Sequence, residues 1–216
     1  MKPTTLIVIG AKGHGKMILE AARAMQAWDE IQICDDDPAT IGATVLGARV
    51  RTGRDWLLTL EPGSVEVALG IGDNIVREHM ASWLAERSLA LAWVIHPAAL
   101  VSPSAVIGEG AYIAPGAVIG AEARIGQGAI VNTAASVDHD CEIGAFAHVG
   151  PGAHLCGGVV VGARSMLGVG SSVAPLVRIG SDCRLGAGAA LVRRLDDGRT
   201  AVGVPARPLT HDAIRS

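Results

Sequence analysis

The chain has 216 residues, half of them apolar, with only 3% aromatic side chains and a formal net charge of −3. This length admits one domain or two with a large apolar core, but so few aromatics exclude an ordinary core of bulky rings and favour stacked small and β-branched side chains. The mild acidity and the lack of Lys/Arg runs exclude an electrostatic footprint for nucleic acid, and no run of eighteen apolar residues is present to span a membrane.

The chain opens on a short apolar run, Thr5 to Gly10, bounded at once by glycine, which predicts a buried parallel strand. Its apolar part, Leu6 to Ile9, is too short for the core of a signal peptide, and a cytoplasmic protein is expected. The loop Gly10-Ala11-Lys12-Gly13-His14-Gly15 follows. Met17, Ile18, Ala21, Ala24, Met25 and Trp28 then recur at helical spacings, predicting a helix over 16–28. A second strand, Ile31 to Cys34, ends in Asp35-Asp36-Asp37. The glycine spacing is GxxGxG, not the GxGxxG of dinucleotide binding. One reading of these glycines is a tight strand–helix turn and nothing more. The other is a cradle for the phosphates of a nucleotide-linked ligand at the helix N-terminus, with acids at the end of the next strand.

Farther on, the pattern predicts a hairpin-like piece over 44–50, a short helix over 54–60 and a strand over 65–71. Gly72-Asp73-Asn74 comes next, then a helix over 74–87 with Asp73 as its N-cap, and a last strand over 89–95. Residues 1–96 are expected to form one α/β domain in which three strand ends, Gly10–Gly15, Asp35–Asp36 and Gly72–Asn74, converge on one edge. In open α/β sheets that is the ligand edge.

At Val101 the period changes. Sixteen consecutive hexads run to Asp196 without insertion or deletion, each beginning with Ile, Val or Leu. The fifth position is Ala, Ser, Cys or Val in fifteen, Leu195 being the exception, and Gly holds the second in nine. A fixed short period means a solenoid. Three hexads per coil bury the first and fifth side chains inside a triangular prism, about 25 Å long at about 4.8 Å per coil. The expected domain spans 97–196, with a tail over 197–216. Of the four cysteines, Cys141 and Cys183 fall on inward fifth positions, and no CxxC pair suggests zinc. No metal is expected.

Polar side chains on such a prism point outward or line a site. The seventh hexad, Val137-Asp138-His139-Asp140-Cys141-Glu142, carries a histidine between two aspartates at outward positions. From the tripeptide alone this is a solvated surface histidine or a general base oriented by a carboxylate.

Three features in combination carry a resemblance. They are the opening Ile9-Gly10-x-x-Gly13-His14-Gly15, the stretch Asn132-Thr133-x-x-Ser136-Val137-Asp138-His139-Asp140-Cys141-x-Ile143-Gly144, and the closing Val202-Gly203-Val204-Pro205-Ala206-Arg207. Together with the hexads they resemble the hexapeptide-repeat sugar O-/N-acyltransferases, the group of sialic acid O-acetyltransferases and of N-acetyltransferases of nucleotide-linked amino sugars. The resemblance covers essentially the whole chain. It implies a Rossmann-like N-terminal domain followed by a left-handed parallel β-helix, a homotrimer with sites between neighbouring prisms, and acetyl-CoA as co-substrate. It implies His139 as general base with Asp140 as acidic partner (the family often has Glu there) and Asp138 as the substitute. It also implies His148 at the acetyl end of acetyl-CoA, where the plain alternative is a surface histidine. It implies Gly157, Val169 and Ala187 along the pantetheine arm. It implies Lys12, Gly13, His14, Asp35, Asp36, Gly72, Asp73 and Asn132 near a nucleotide-linked amino sugar. O-acetylation of sialic acid or another sugar hydroxyl is the alternative reaction. A three-histidine metalloenzyme using His139, His148 and His154 is a further reading, but their hexad positions do not converge. A non-catalytic sugar-nucleotide sensor is another.

Overall fold

The computed structural model describes residues 5–51, 53–61 and 63–209; His211 and the rest of the tail beyond 209 lie outside the described residues. The chain divides into two compact units, the first ending at Pro97 and the second beginning at Ala98.

The first unit contains β1 (Thr5–Ile9), α1 (Gly13–Met25), β2 (Glu30–Cys34), β3 (Thr44–Val45), β4 (Ala48–Arg51), a 3-10 turn (Arg54–Thr59), β5 (Val65–Leu69), α2 (Asn74–Ala85), β6 (Ala90–Leu91) and β7 (Val94–Ile95). The sheet order β3-β4-β2-β1-β5-β6 puts β1 at the centre. β1, β2 and β5 are parallel in continuous register, Ile9 lying between Cys34 and Leu69. Strands buried on both faces need unbroken apolar runs, and Leu6 to Val8 are fully buried. Two expectations are corrected. Helix α1 begins at Gly13, three residues before the predicted start at Lys16. The strand expected over 89–95 is two short segments separated at Ala92 and Trp93.

The second unit is a prism of two-residue rungs. Face I carries the rungs Tyr112–Ile113, Ile130–Val131, His148–Val149, Met166–Leu167, Arg184–Leu185 and Thr200–Val202. Face II carries Leu100–Val101, Val118–Ile119, Ser136–Val137, His154–Leu155, Ser172–Val173 and Ala190–Leu191. Face III carries Val106–Ile107, Arg124–Ile125, Glu142–Ile143, Val160–Val161 and Arg178–Ile179. Except at the C-terminal end, each rung pairs in parallel with the rung eighteen residues on, as Ser136 with His154. First- and fifth-position side chains fill the interior: Val137, Ala135, Ala147 and Val149 are fully buried. Each fully buried Val, Leu or Ile contributes about 1.5–3 kcal/mol, so small inward residues repeated coil after coil replace the missing aromatics.

The corners follow one rule. From Gly110 to Gly188 the fourth residue of every hexad has φ near +60°, in fourteen consecutive hexads. Seven of the fourteen are not glycine, Asp140 among them. This conformation costs a non-glycine residue about 1–2 kcal/mol, but it turns the fourth N–H onto the preceding coil, as Asp140 N donates to Ala121 O at 3.0 Å. Second-position glycine has a different cause. A Cβ on Gly144 would lie 2.6 Å from the Ala163 amide of the next coil.

The sixteenth hexad exists in letters only. Ile179 pairs with Leu195, sixteen residues on, and Leu185 with Ala201, also sixteen. The last coil is two residues short, and Leu195, 2% exposed, takes the inward slot of a first position. That is why it breaks the fifth-position rule.

Candidate functional site

In the first unit the C-terminal ends of β2, β1 and β5 lie side by side. Gly10, Gly15 and Gly70 let backbone meet backbone there. A Cβ on Gly15 would fall on the Gly10 carbonyl, and one on Gly10 would sit 2.6 Å from the Gly70 carbonyl oxygen. These glycines serve close packing. Gly13 differs, because a Cβ there meets nothing within 4 Å. Helix α1 starts beside it with no side-chain cap and no acid in its first turn, so its N-terminal amides and dipole suit an anion.

The acids at this edge are engaged in shaping loops. Asp35 accepts from Ala11 N at 2.7 Å and Asp37 N at 2.9 Å, tying the loop after β1 to the end of β2. Asp36 accepts from Arg54 N at 2.7 Å and pairs with the Arg54 guanidinium at 3.3 Å. Lys12 pairs with Asp37 at 3.0 Å, which raises the pKa of the ammonium. Asp73 caps α2 by accepting from Ile75 N and Val76 N at 3.0 and 2.9 Å. His14 lies beside Gly72. Burial, and secondarily the Arg77 charge, pushes its pKa down to about 4, so its ring is neutral at neutral pH.

Arg77 is the residue the sequence reading missed. It is 1% exposed. Its guanidinium donates to the Ile71 and Gly72 carbonyls at 3.1 and 3.0 Å and to Asn74 Oδ1 at 2.9 Å. It thereby fixes the loop after β5, and burial lowers its pKa to about 10. The one signal in the sequence was an arginine in the first turn of α2, four residues past the cap; the buried carbonyls it serves were not visible.

In the second unit the named residues occupy two different edges. His139, Asp140 and Gly157 lie on the edge between faces II and III. His139 Nδ1 and Asp140 Oδ2 are 2.7 Å apart. The shorter Asp reaches the ring because its left-handed backbone turns it toward His139, while Asp138 instead accepts the His139 backbone N–H at 2.7 Å. The Asp140 hydrogen bond first, and the Asp138 charge second, raise the His139 pKa above the ordinary histidine value. The ring lies over Gly157, where a Cβ would be 2.5 Å from Nε2. Nε2 has no hydrogen-bond partner among the described residues.

Asn132, Val169 and Ala187 lie on the edge between faces I and II, with His148 on face I beside Asn132. Asn132 Oδ1 accepts from Thr133 N at 2.8 Å, which orients the amide and leaves Nδ2 facing His148 Nε2 at 3.0 Å. A donor facing Nε2 makes that nitrogen the acceptor, so neutral His148 carries its proton on Nδ1. His148 is 8% exposed, so it is not a surface histidine. His154, on face II, accepts or donates one hydrogen bond with Ser136 at 2.8 Å. Among the described residues no three His, Cys, Asp or Glu side chains gather as a metal site would require.

Residues 5–84 match the family described as the PglD N-terminal domain. Over nearly its whole length the chain is similar to the acetyltransferase domain of PglB from Neisseria gonorrhoeae, solved in complex with acetyl coenzyme A. The identity is 40% and the TM-score 0.93, with 96% of this chain and 100% of that one covered. It is similar to PerB from Caulobacter crescentus, solved with CoA and GDP-perosamine, at 41% identity and TM-score 0.89, covering 95% and 97%. A UDP-N-acetylbacillosamine N-acetyltransferase of Bacillus subtilis is 39% identical over 107 residues, and this match spans about half of that relative's length, 48%. The two units are accordingly a Rossmann-like α/β domain and a left-handed parallel β-helix.

Proposed function

The chain belongs to the hexapeptide-repeat sugar acyltransferase family, and from that premise we propose that it moves an acetyl group from acetyl-CoA to the amine of a nucleotide-linked amino sugar. The observation that carries this reading is the His139–Asp140 pair at 2.7 Å. It holds a basic imidazole on an open edge with Nε2 turned away from its anchoring carboxylate. The sugar amine attacks the thioester carbonyl, a C–N bond forms and the C–S bond breaks. His139 Nε2 takes the proton lost by nitrogen and returns it to the departing CoA thiolate. Asp140 fixes the ring and offsets the imidazolium charge. His148, whose Nε2 meets the Asn132 amide at 3.0 Å, borders the acetyl end of the cofactor.

The separation of these groups between two prism edges supports a homotrimer. In it the His139 edge of one copy faces the Asn132, Val169 and Ala187 edge of the next, with His148 beside it. The nucleotide sugar is taken by Lys12, Gly13, His14, Asp35, Asp36, Gly72 and Asp73. The open face at Gly13 and the uncapped start of α1 support phosphate there, and Asp36 remains half exposed for a ribose hydroxyl. A cytoplasmic location is part of the same proposal. The test is CoA release from acetyl-CoA with UDP-, GDP- and dTDP-linked amino sugars, against free sialic acid. Turnover confined to an amino sugar nucleotide is expected. Turnover with sialic acid alone overturns N-acetylation, and no turnover with any acceptor overturns the reading.

A further inference from the structure

The His139 and Asp140 side chains are 61% and 63% exposed. A single hydrogen bond between two exposed, neighbouring side chains holds weakly, because water competes for both partners and each keeps its rotamers. The ring therefore needs a second constraint to stay in one place. Gly157, eighteen residues on and at the same third position of its hexad, lies directly beneath it. A Cβ at Gly157 would strike Cε1 of the ring and would stand 2.5 Å from Nε2 and 3.1 Å from Nδ1. No side chain fits there while the ring keeps its position.

The backbone under the ring cannot retreat. Gly158 N donates to the His139 carbonyl at 2.9 Å, tying this segment to the coil before. Cys156 N donates to Val173 O at 3.1 Å and Leu176 N to the Gly157 carbonyl at 3.0 Å, tying it to the coil after. From inside the prism the buried Cys141 thiol donates to the Cys156 carbonyl at 3.2 Å. The inward cysteine thus clamps the peptide on which the ring rests. Gly157 is not one of the left-handed corner residues, so its backbone accepts an L side chain without strain. This sets it apart from Gly144, where a Cβ meets the backbone of the next coil and the fold itself would have to yield. At Gly157 the group that yields is the exposed imidazole.

We propose that Gly157 is a positioning residue for His139: its bare Cα is the floor that lets the imidazole lie against the prism with Nδ1 on Asp140 and Nε2 outward. Even a methyl group at this position lifts the ring, breaks the contact with Asp140 and turns Nε2 away from the proton it is to take. A small displacement of this kind lowers turnover without touching the base itself. The proposal rests on the reading of His139 as general base.

The deciding measurement is an NMR titration of the His139 ring in the full chain with no substrate present, so that nothing bound at the edge enters the result. Wild type, Gly157→Ala, Asp140→Asn and the double variant are compared, with kcat and thermal melting measured on each. In the wild type the ring should titrate above the ordinary 6.5 because of Asp140 and Asp138. Gly157→Ala should bring it down toward that value and lower kcat by about tenfold or more, with an unchanged melting temperature. The double variant should titrate where Asp140→Asn alone does, since both changes break one contact. An unmoved titration in Gly157→Ala overturns the proposal even if kcat falls, because Gly157 then acts by some route other than the ring. Additive shifts in the double variant overturn it as well, and so does a lowered melting temperature, which would mark a deformed coil. If His139→Ala keeps near wild-type turnover, the general-base reading has failed, and the catalytic role of Gly157 falls with it.

Discussion

The two units build polar sites by opposite means. In the α/β unit the candidate site is made of loops, and each loop is held by a side chain that lies beyond it. Asp35 holds the loop of Ala11, and Arg77 holds the carbonyls of Ile71 and Gly72. In the β-helix the backbone is the same at every corner, and a side chain's place follows from its count within the hexad. Chemistry there is a local departure from a repeated rule. The first design ties site to stability, whereas the second separates them.

The sharpest test of that separation is His139→Ala. The side chain is 61% exposed, so the melting temperature should not move while kcat falls by about 10² to 10⁴, the range for a general base. Near wild-type turnover at saturating substrates would remove His139 from the chemistry.

The α/β unit should show the opposite coupling through His14. Its folded-state pKa of about 4 lies below the ordinary 6.5. A depressed value means that the unfolded chain takes up the proton first. Stability is therefore full above pH 6.5 and is lost as the pH falls toward 4, by on the order of 3 kcal/mol. Urea melts across that window should show the loss in the wild type and a flatter profile in His14→Gln. Equal slopes would mean that the ring is not held neutral by burial.

Next in size is Arg77→Met, which leaves two loop carbonyls without their donor. A loss of about 2 kcal/mol in urea melting is expected, together with a raised KM for the nucleotide sugar and an unchanged KM for acetyl-CoA. A change in KM without any loss of stability would break the comparison between the units.

The smallest effect is Asp140→Asn. Removing the carboxylate lowers the His139 pKa, so the acid limb of kcat/KM should move to lower pH, with about a tenfold fall on the plateau. An acid limb that stays in place would show that Asp140 does not act on the ring.

Much of this was legible in the sequence because the repeat leaves little freedom. Once Val101 sets the phase, the inward residues, the outward His139 and the neighbourhood of Asp140 follow by counting. What escaped has physical causes. The early start of α1 was hidden by Gly13 and Gly15, poor helix formers in isolation, one of which is required where the Gly10 carbonyl closes on the helix. The left-handed fourth position was masked because half its occupants are not glycine, the hydrogen bond to the previous coil offsetting their cost. The register slip left a single trace, a leucine where a small residue belongs. Arg77 left almost none, because its value lies in carbonyls that only the folded loop brings to it.

The eighteen-residue coil also sets which changes of length the molecule tolerates. Inserting one hexad between His139 and Leu191 would preserve every inward contact type, yet it would rotate all later outward residues by a third of a turn. Any outward residue past the insertion would then sit on a different edge relative to His139, in a prism as well packed as before. Inserting three hexads would return it to the same edge, one coil farther away. The fold reads chain length in units of six, and the chemistry reads it in units of eighteen. Insertions that leave folding intact can therefore still abolish function, purely through their remainder.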